Sequence, residues 1–177
     1  MRWTPFKFQG TIYDLNHLHP MRVKYLQPAK GAKPEHEYQV DIIFSSHCFT
    51  RGYAPGESVS PELLFSHDGE TRVFDLTRHA LSFHLSAIVE GLPARKCYHT
   101  EFGNFFVLEL VTGVTSIEYE VFFKAYKATR RGPVTLTVQS AYVRDKDHKK
   151  DKPRGKPIGF HVILFNTLNN KPIKPPQ

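Results

Sequence analysis

The sequence predicts an α+β fold, a mainly antiparallel β-sheet with one principal helix packed on it. Three observations lead there. Large apolar residues alternate with polar ones in several segments, the period of a half-buried strand. One segment changes to helical spacing. The strand-like segments follow one another through short polar connections, which suit antiparallel neighbours. The chain has 177 residues, 40% hydrophobic and 13% aromatic, enough apolar surface for one core. Splitting a chain of this size would forfeit burial, so residues 1–177 read as a single domain.

The elements follow in order. "FKFQGTIYDL" and "MRVKYL" read as short strands, and the loop "QPAKGAKPEHE" after them is punctuated by Pro28, Gly31 and Pro34. From Tyr38 to Phe44, the residues Tyr38, Val40, Ile42 and Phe44 share one face and Gln39 and Asp41 the other, which predicts a strand. Residues 50–72 are rich in Gly, Pro and Ser and read as a loop with little regular structure. In "DLTRHALSFHLSAIVEGL", Leu81, Leu85, Ile88 and Leu92 recur at helical spacing, Asp75 or Thr77 can cap the start and Gly91 suits the end. Four extended segments come next, "NFFVLELV", "IEYEVFFKAY", "VTLTVQSAYV" and "IGFHVILF", and predict a meander. Between the last two, Arg144 to Pro157 carries seven Lys or Arg against three Asp and is expected to be a flexible basic loop. Residues 168–177 read as an extended C-terminal tail.

Composition narrows the function classes. Two cysteines are too few for a disulfide framework, and "MRWTPFKFQG" lacks the basic-then-apolar pattern of a secretory signal, so a cytoplasmic setting is expected. No apolar run approaches bilayer length, which argues against a membrane partner. A formal net charge of +7 favours a polyanion, either RNA or other nucleic acid, or an acidic protein partner.

Three clusters hold residues capable of chemistry. In "SSHCFTRG", His47 can carry a proton near neutral pH, and Thr50 and Arg51 can hold an anion. Cys48 fits a small buried hydrophobe better than a nucleophile, which needs neighbours that lower its pKa. In "KCYHTE", Cys97 and His99 would complete a set of zinc ligand types with His47 and Cys48. Neither half has the spacing that wraps a metal, and adjacent His47 and Cys48 point apart in a strand, so no metal or cofactor is expected. "TRHALS" sets Arg78 and His79 near a helix N-terminus, where anions are favoured. Pairing of the next strands through "KATRRGP" would bring the strand ends bearing Lys124, Ser140, Tyr142 and Arg144 within reach of one another. The plainer alternative turns Ser140 and Tyr142 to the core beside Val138, as period two allows, and leaves His79 merely exposed.

The order "TRHALSFHLSAIV", "NFFVLELV", "YEVFFKAY", "VTLTVQSAYVR" resembles the helix-then-sheet core of the barnase, EndoU, colicin and RelE-like ribonucleases over about Asp75 to Arg144. The stretches "YEVFFKAY", "VQSAYVR" and "FHVILFNTLNN" also resemble uncharacterised bacterial proteins. The first resemblance implies a small metal-independent endoribonuclease of toxin or mobile-element defence type, in which the 2′-OH attacks the adjacent phosphorus. Its catalytic set would be His79, His47, Lys124, Ser140 and Tyr142. Phosphate contacts would fall to Arg78, Arg51, Arg130, Arg131, Arg144, Lys149, Lys150, Lys152 and Arg154. A non-catalytic nucleic-acid-binding module is the alternative, with basic residues and exposed aromatics such as Tyr126 and Tyr142 spread over an open sheet face. A protein-interaction domain for an acidic partner is the third reading.

Overall fold

The computed structural model describes residues 2–32, 34–53, 56–100, 103–111, 117–143 and 155–174. Its main sheet has six strands: β3 (Met21–Gln27), β4 (His36–Phe44), β8 (Tyr98–His99), β9 (Phe105–Val111), β10 (Ile117–Lys127) and β11 (Val134–Val143), ordered β3-β4-β11-β10-β9-β8. All pairs are antiparallel except β4 with β11, which run parallel from Val40↔Val134 to Phe44↔Val138. The expected meander is present as β9, β10 and β11. The fold is α+β, with a mixed rather than purely antiparallel sheet.

Alternation sets the faces of that sheet. Tyr25, Tyr38, Val40, Ile42, Phe44, Tyr119, Val121, Phe123, Leu136 and Val138 are buried on the inner face. Three helices cover that face: α1 (Leu76–Ser82), α2 (Leu85–Glu90) and α3 (Phe160–Leu168). The predicted helix is thus two short ones, broken at Phe83 and His84. Its spacing nevertheless marked the core, since Leu81, Leu85, Ile88 and Leu92 are all buried. Asp75 caps α1 by accepting a hydrogen bond from the Arg78 amide at 2.9 Å.

Two expectations are corrected. "IGFHVILF" is not a strand but the start of α3, which buries Phe160, Ile163 and Leu164 at helical spacing against β10 and β11. A short apolar run buried on several sides satisfies either period, and packing decides. The Tyr25 and Phe123 rings meet Phe160 at 4.9 and 6.2 Å. Residues 50–72 are not loop throughout. They hold β5 (Thr50–Arg51), β6 (Leu64–His67) and the start of β7 (Glu70–Phe74), ordered β5-β7-β6. The β6–β7 turn is Asp68-Gly69, with φ of 49° and 78°, the pair of positive values a tight hairpin demands. A further hairpin, β1 (Phe6–Phe8) and β2 (Thr11–Tyr13), packs on this sheet with Phe6 stacked on Phe74 at 4.1 Å. Beyond α3, Ile173 packs against the core, so residues 171–174 are extended but anchored.

His17 ties the segment before β3 to the helices. The Ser82 hydroxyl donates to the His79 carbonyl at 2.7 Å and therefore accepts from His17 Nε2, also at 2.7 Å. That tautomer leaves His17 Nδ1 as a bare acceptor, buried and, among the described residues, without a partner. Burial first, and the neighbouring His79 second, lower the His17 pKa from the usual 6.5 to about 4. Between those values the unfolded chain takes up a proton that the folded chain refuses, so stability present above pH 6.5 is lost as pH falls towards 4. His17→Gln keeps a donor for Ser82 and should flatten the fall of the thermal midpoint across that window. An unchanged slope would assign the acid sensitivity to other groups.

Candidate nucleic-acid interface

The "SSHCFTRG" segment is the corner at which β4 leaves the sheet. Its first serine fixes the corner: the Ser45 amide donates to the Val138 carbonyl at 3.0 Å and its hydroxyl to the Gln139 carbonyl at 2.7 Å. Gln139 is the extra residue of a bulge in β11, since Phe122 faces Ser140 while Phe123 faces Val138. The bulge inverts the expected parity. Ser140 and Tyr142 stand on the outer face, opposite to Val138.

Four aromatic rings form a row across that outer face. Tyr98 on β8, Phe106 on β9, Phe122 on β10 and Tyr142 on β11 follow at centroid spacings of 5.4, 5.3 and 5.4 Å. The neighbouring planes differ by 31°, 27° and 19°, so the rings lean on one another and each offers part of a face. Arg78 ends the row. It takes the side of Tyr142 that β4 vacates after Phe44, with its guanidinium carbon 5.3 Å from the ring centroid. Its Nη1 donates to the carbonyls of His47 and Thr50 at 3.1 and 2.8 Å, which fixes the group in place. Burial, its largest influence, lowers the Arg78 pKa, and Asp75 opposes that shift.

Lys124, Ser140 and Tyr142 share this face. Lys124 is exposed opposite Thr137, and Ser140 lies opposite Phe122. On β3 and β4 the cations Arg22 and Lys24 are paired with Asp41 and Glu37 at 2.6 and 3.4 Å. The further cations of the face among the described residues are Lys124 and Arg78, and the carboxylates Glu118 and Glu120 of β10 share it, Glu120 opposite Tyr142. The two histidines stand elsewhere. The His79 ring lies among Tyr13, His17, Phe74 and Phe83, is 8% exposed, and its Nε2 donates to the Asp14 carbonyl at 2.9 Å. It is neither solvent-facing nor beside Lys124. The His47 ring turns to Glu70, 3.1 Å away, and only its backbone joins the Arg78 contact.

Arg51 is held by Glu57 at 2.6 Å and lies 3.7 Å from Asp75, near the same corner. Arg130 and Arg131 are exposed in the β10–β11 turn, on the order of 25 Å along β11 from Tyr142 at about 3.3 Å per residue. Arg144, Lys149, Lys150, Lys152 and Arg154 lie outside the described residues. Tyr98, Phe106 and Phe122 were missed by sequence reasoning, because their alignment exists only once register places them on one face. Among the described residues, no three His, Cys, Asp or Glu come together in a way that could hold a metal, and no helix is long and apolar enough to cross a membrane.

Cys48 and Cys97 are both 0% exposed, and burial pushes each thiol up to about 12. Cys48 Sγ donates to the Val138 carbonyl at 3.6 Å and so helps seat the bulge. A thiol-reactive disulfide reagent should label neither cysteine in the native protein and both after denaturation. Rapid native labelling would place one of them at the surface.

Comparison with known proteins now fixes the family. The YjaZ family model matches residues 5–168. This chain belongs to the YjaZ family. It is 31% identical over 180 residues to Protein YjaZ of Escherichia coli (strain K12), an alignment covering 99% of this chain and 96% of that protein. No solved structure matches. This YjaZ-family chain thus stands among the bacterial proteins it was seen to resemble, and the match lends the ribonuclease resemblance no support.

Proposed function

We propose that this YjaZ-family protein binds single-stranded nucleic acid, RNA in preference, across the outer face of its main sheet. The observation that carries the reading is the row Tyr98–Phe106–Phe122–Tyr142 ending on Arg78. Unpaired bases pack on aromatic rings, and a fixed guanidinium at the end of such a row meets the phosphate between them. Among the described residues Arg78 bonds the two carbonyls through Nη1, which leaves the other side of the group for an anion. Ser140 and Thr137, beside the rings, are suited to a ribose 2′-OH, and the net charge of +7 brings the strand to the surface.

Binding without cleavage fits this face better than the catalytic alternative. Attack by the 2′-OH needs a base and an acid within hydrogen-bond reach of one phosphate, and both histidine rings already have partners away from Lys124, Ser140 and Tyr142. The test is fluorescence anisotropy with a short labelled single-stranded RNA, beside the matching DNA and a duplex, at low and physiological salt in EDTA. Saturable binding that prefers the single strand and weakens with salt is expected, with the RNA recovered intact. Cyclic-phosphate fragments would reinstate cleavage, and no binding would turn the reading towards an acidic protein partner.

A further inference from the structure

We propose that the open edge of β3 is a docking site for an extended, acidic segment of a partner protein, which adds a further strand to the main sheet. β3 is the outermost strand of that sheet and pairs with β4 from Met21↔Ile42 to Gln27↔His36 without a register shift. Neither proline nor glycine interrupts it. In a strand, the backbone groups of alternate residues point to opposite sides. Every second residue of β3 therefore offers a donor and an acceptor away from β4, and among the described residues no backbone partner takes them up. The other edge of the sheet, β8, has only two residues.

Natural proteins guard long edges with charged side chains, and here the guards are drawn aside. Arg22 Nε lies 2.6 Å from Asp41 and the Lys24 ammonium 3.4 Å from Glu37, so both cations lean towards β4 and away from the edge. Their side chains are still 60% and 65% exposed, enough to meet a second acid. Among the described residues Arg22 bonds through Nε, which leaves the two Nη groups as donors.

Charge and face select the occupant. Arg22, Lys24 and Leu26 stand on the outer face, and β3 itself holds no acid. Carboxylates on the added strand would set each cation between two acids, one on β4 and one on the partner, and opposite charges on neighbouring strands stabilise their pairing. A second copy of β3 paired about its middle residue would instead put Lys24 against Lys24, which destabilises it. On the inner face Met21 and Val23 are only partly buried against the core, so the alternate positions of the partner are apolar. The aromatic row ends on β11, with β4 between it and this edge, so the site stands independently of the outer-face reading.

The test is an NMR titration of the full chain with a capped nonapeptide of alternating Glu and Val, beside its Lys and Val counterpart. Saturating shifts in β3 are expected with the acidic peptide alone, together with slower exchange of alternate β3 amides. N-methylation of the peptide's glutamates should abolish binding and that of its valines spare it, or the reverse, because only one set of amides can face β3. Changing Arg22 and Lys24 together to Gln should weaken binding about fivefold, whereas Arg22→Lys with Lys24→Arg should hold it near native. Amide spectra confirm that these surface variants fold. Tyr142→Leu, which strikes the aromatic row, should bind the peptide as the native chain does. No binding, equal binding of the basic peptide, equal effects of the two methylations, or shifts that avoid β3 would overturn the site.

Discussion

Phe122→Leu and Tyr142→Leu together are expected to weaken single-stranded RNA binding by about 2 kcal/mol, on the order of thirtyfold. The figure takes ~1 kcal/mol for each lost base contact, the lower end for base–aromatic stacking, because the rings lean on one another and expose only part of each face. Leucine retains apolar bulk on a half-buried face, and each ring–ring contact is worth only about 0.5–1.5 kcal/mol to the fold, so the double variant should remain folded. Titrating native and variant proteins under identical salt separates the two effects. The variant should also keep its salt dependence, since Arg78 and Lys124 are untouched. Equal affinities would remove the outer face as the binding surface, whatever the remaining cations do.

Phe160→Ala should be the most damaging single change to stability, at about 3–5 kcal/mol by denaturant titration. Phe160 is 1% exposed, meets Tyr25 from β3 and Phe123 from β10, and opens the helix that closes the inner face. Truncating it empties the joint between β3, β10 and α3. The exposed Phe165 of the same helix is the control, and Phe165→Ala should cost well under 1 kcal/mol. Similar losses at both positions would mean that α3 does not seat as described.

How far this was legible depended on whether a signal was local. The strands β4, β9, β10 and β11 were readable because alternation is intrinsic to a sheet with one covered face. The β6–β7 hairpin was readable too, and missed: Asp68-Gly69 is a strong two-residue turn signal, but it lay inside a stretch whose glycines and prolines suggested only loop. For α3, the buried Phe160, Ile163 and Leu164 stand at three- and four-residue spacing, yet eight nearly continuous apolar residues also read as a core strand. The candidate site was less accessible. Tyr142 and Lys124 were singled out from strand position, but their shared face depends on the bulge at Gln139, and the bulge depends on Ser45. His79 drew attention through its place near a helix start, whereas its ring turns to the Asp14 carbonyl on a segment distant in sequence. Neighbourhood along the chain could not report either fact.

The parallel pairing of β4 with β11 also governs the order in which the molecule can be made. Ser45 and Gln139, which lock that pairing, are 94 positions apart. At about 5–20 residues per second of synthesis, β4 waits roughly 5–20 s for its partner. During that interval its alternating Tyr38, Val40, Ile42 and Phe44 have neither β11 beside them nor α3 above. Such a strand is an open template for other nascent chains. Closure of so long a loop also puts the main entropic barrier late in folding. Faster translation shortens the vulnerable period, and heat or crowded synthesis makes it more hazardous, so yield in the cell should follow the kinetics of β11 emergence rather than the stability of the finished sheet.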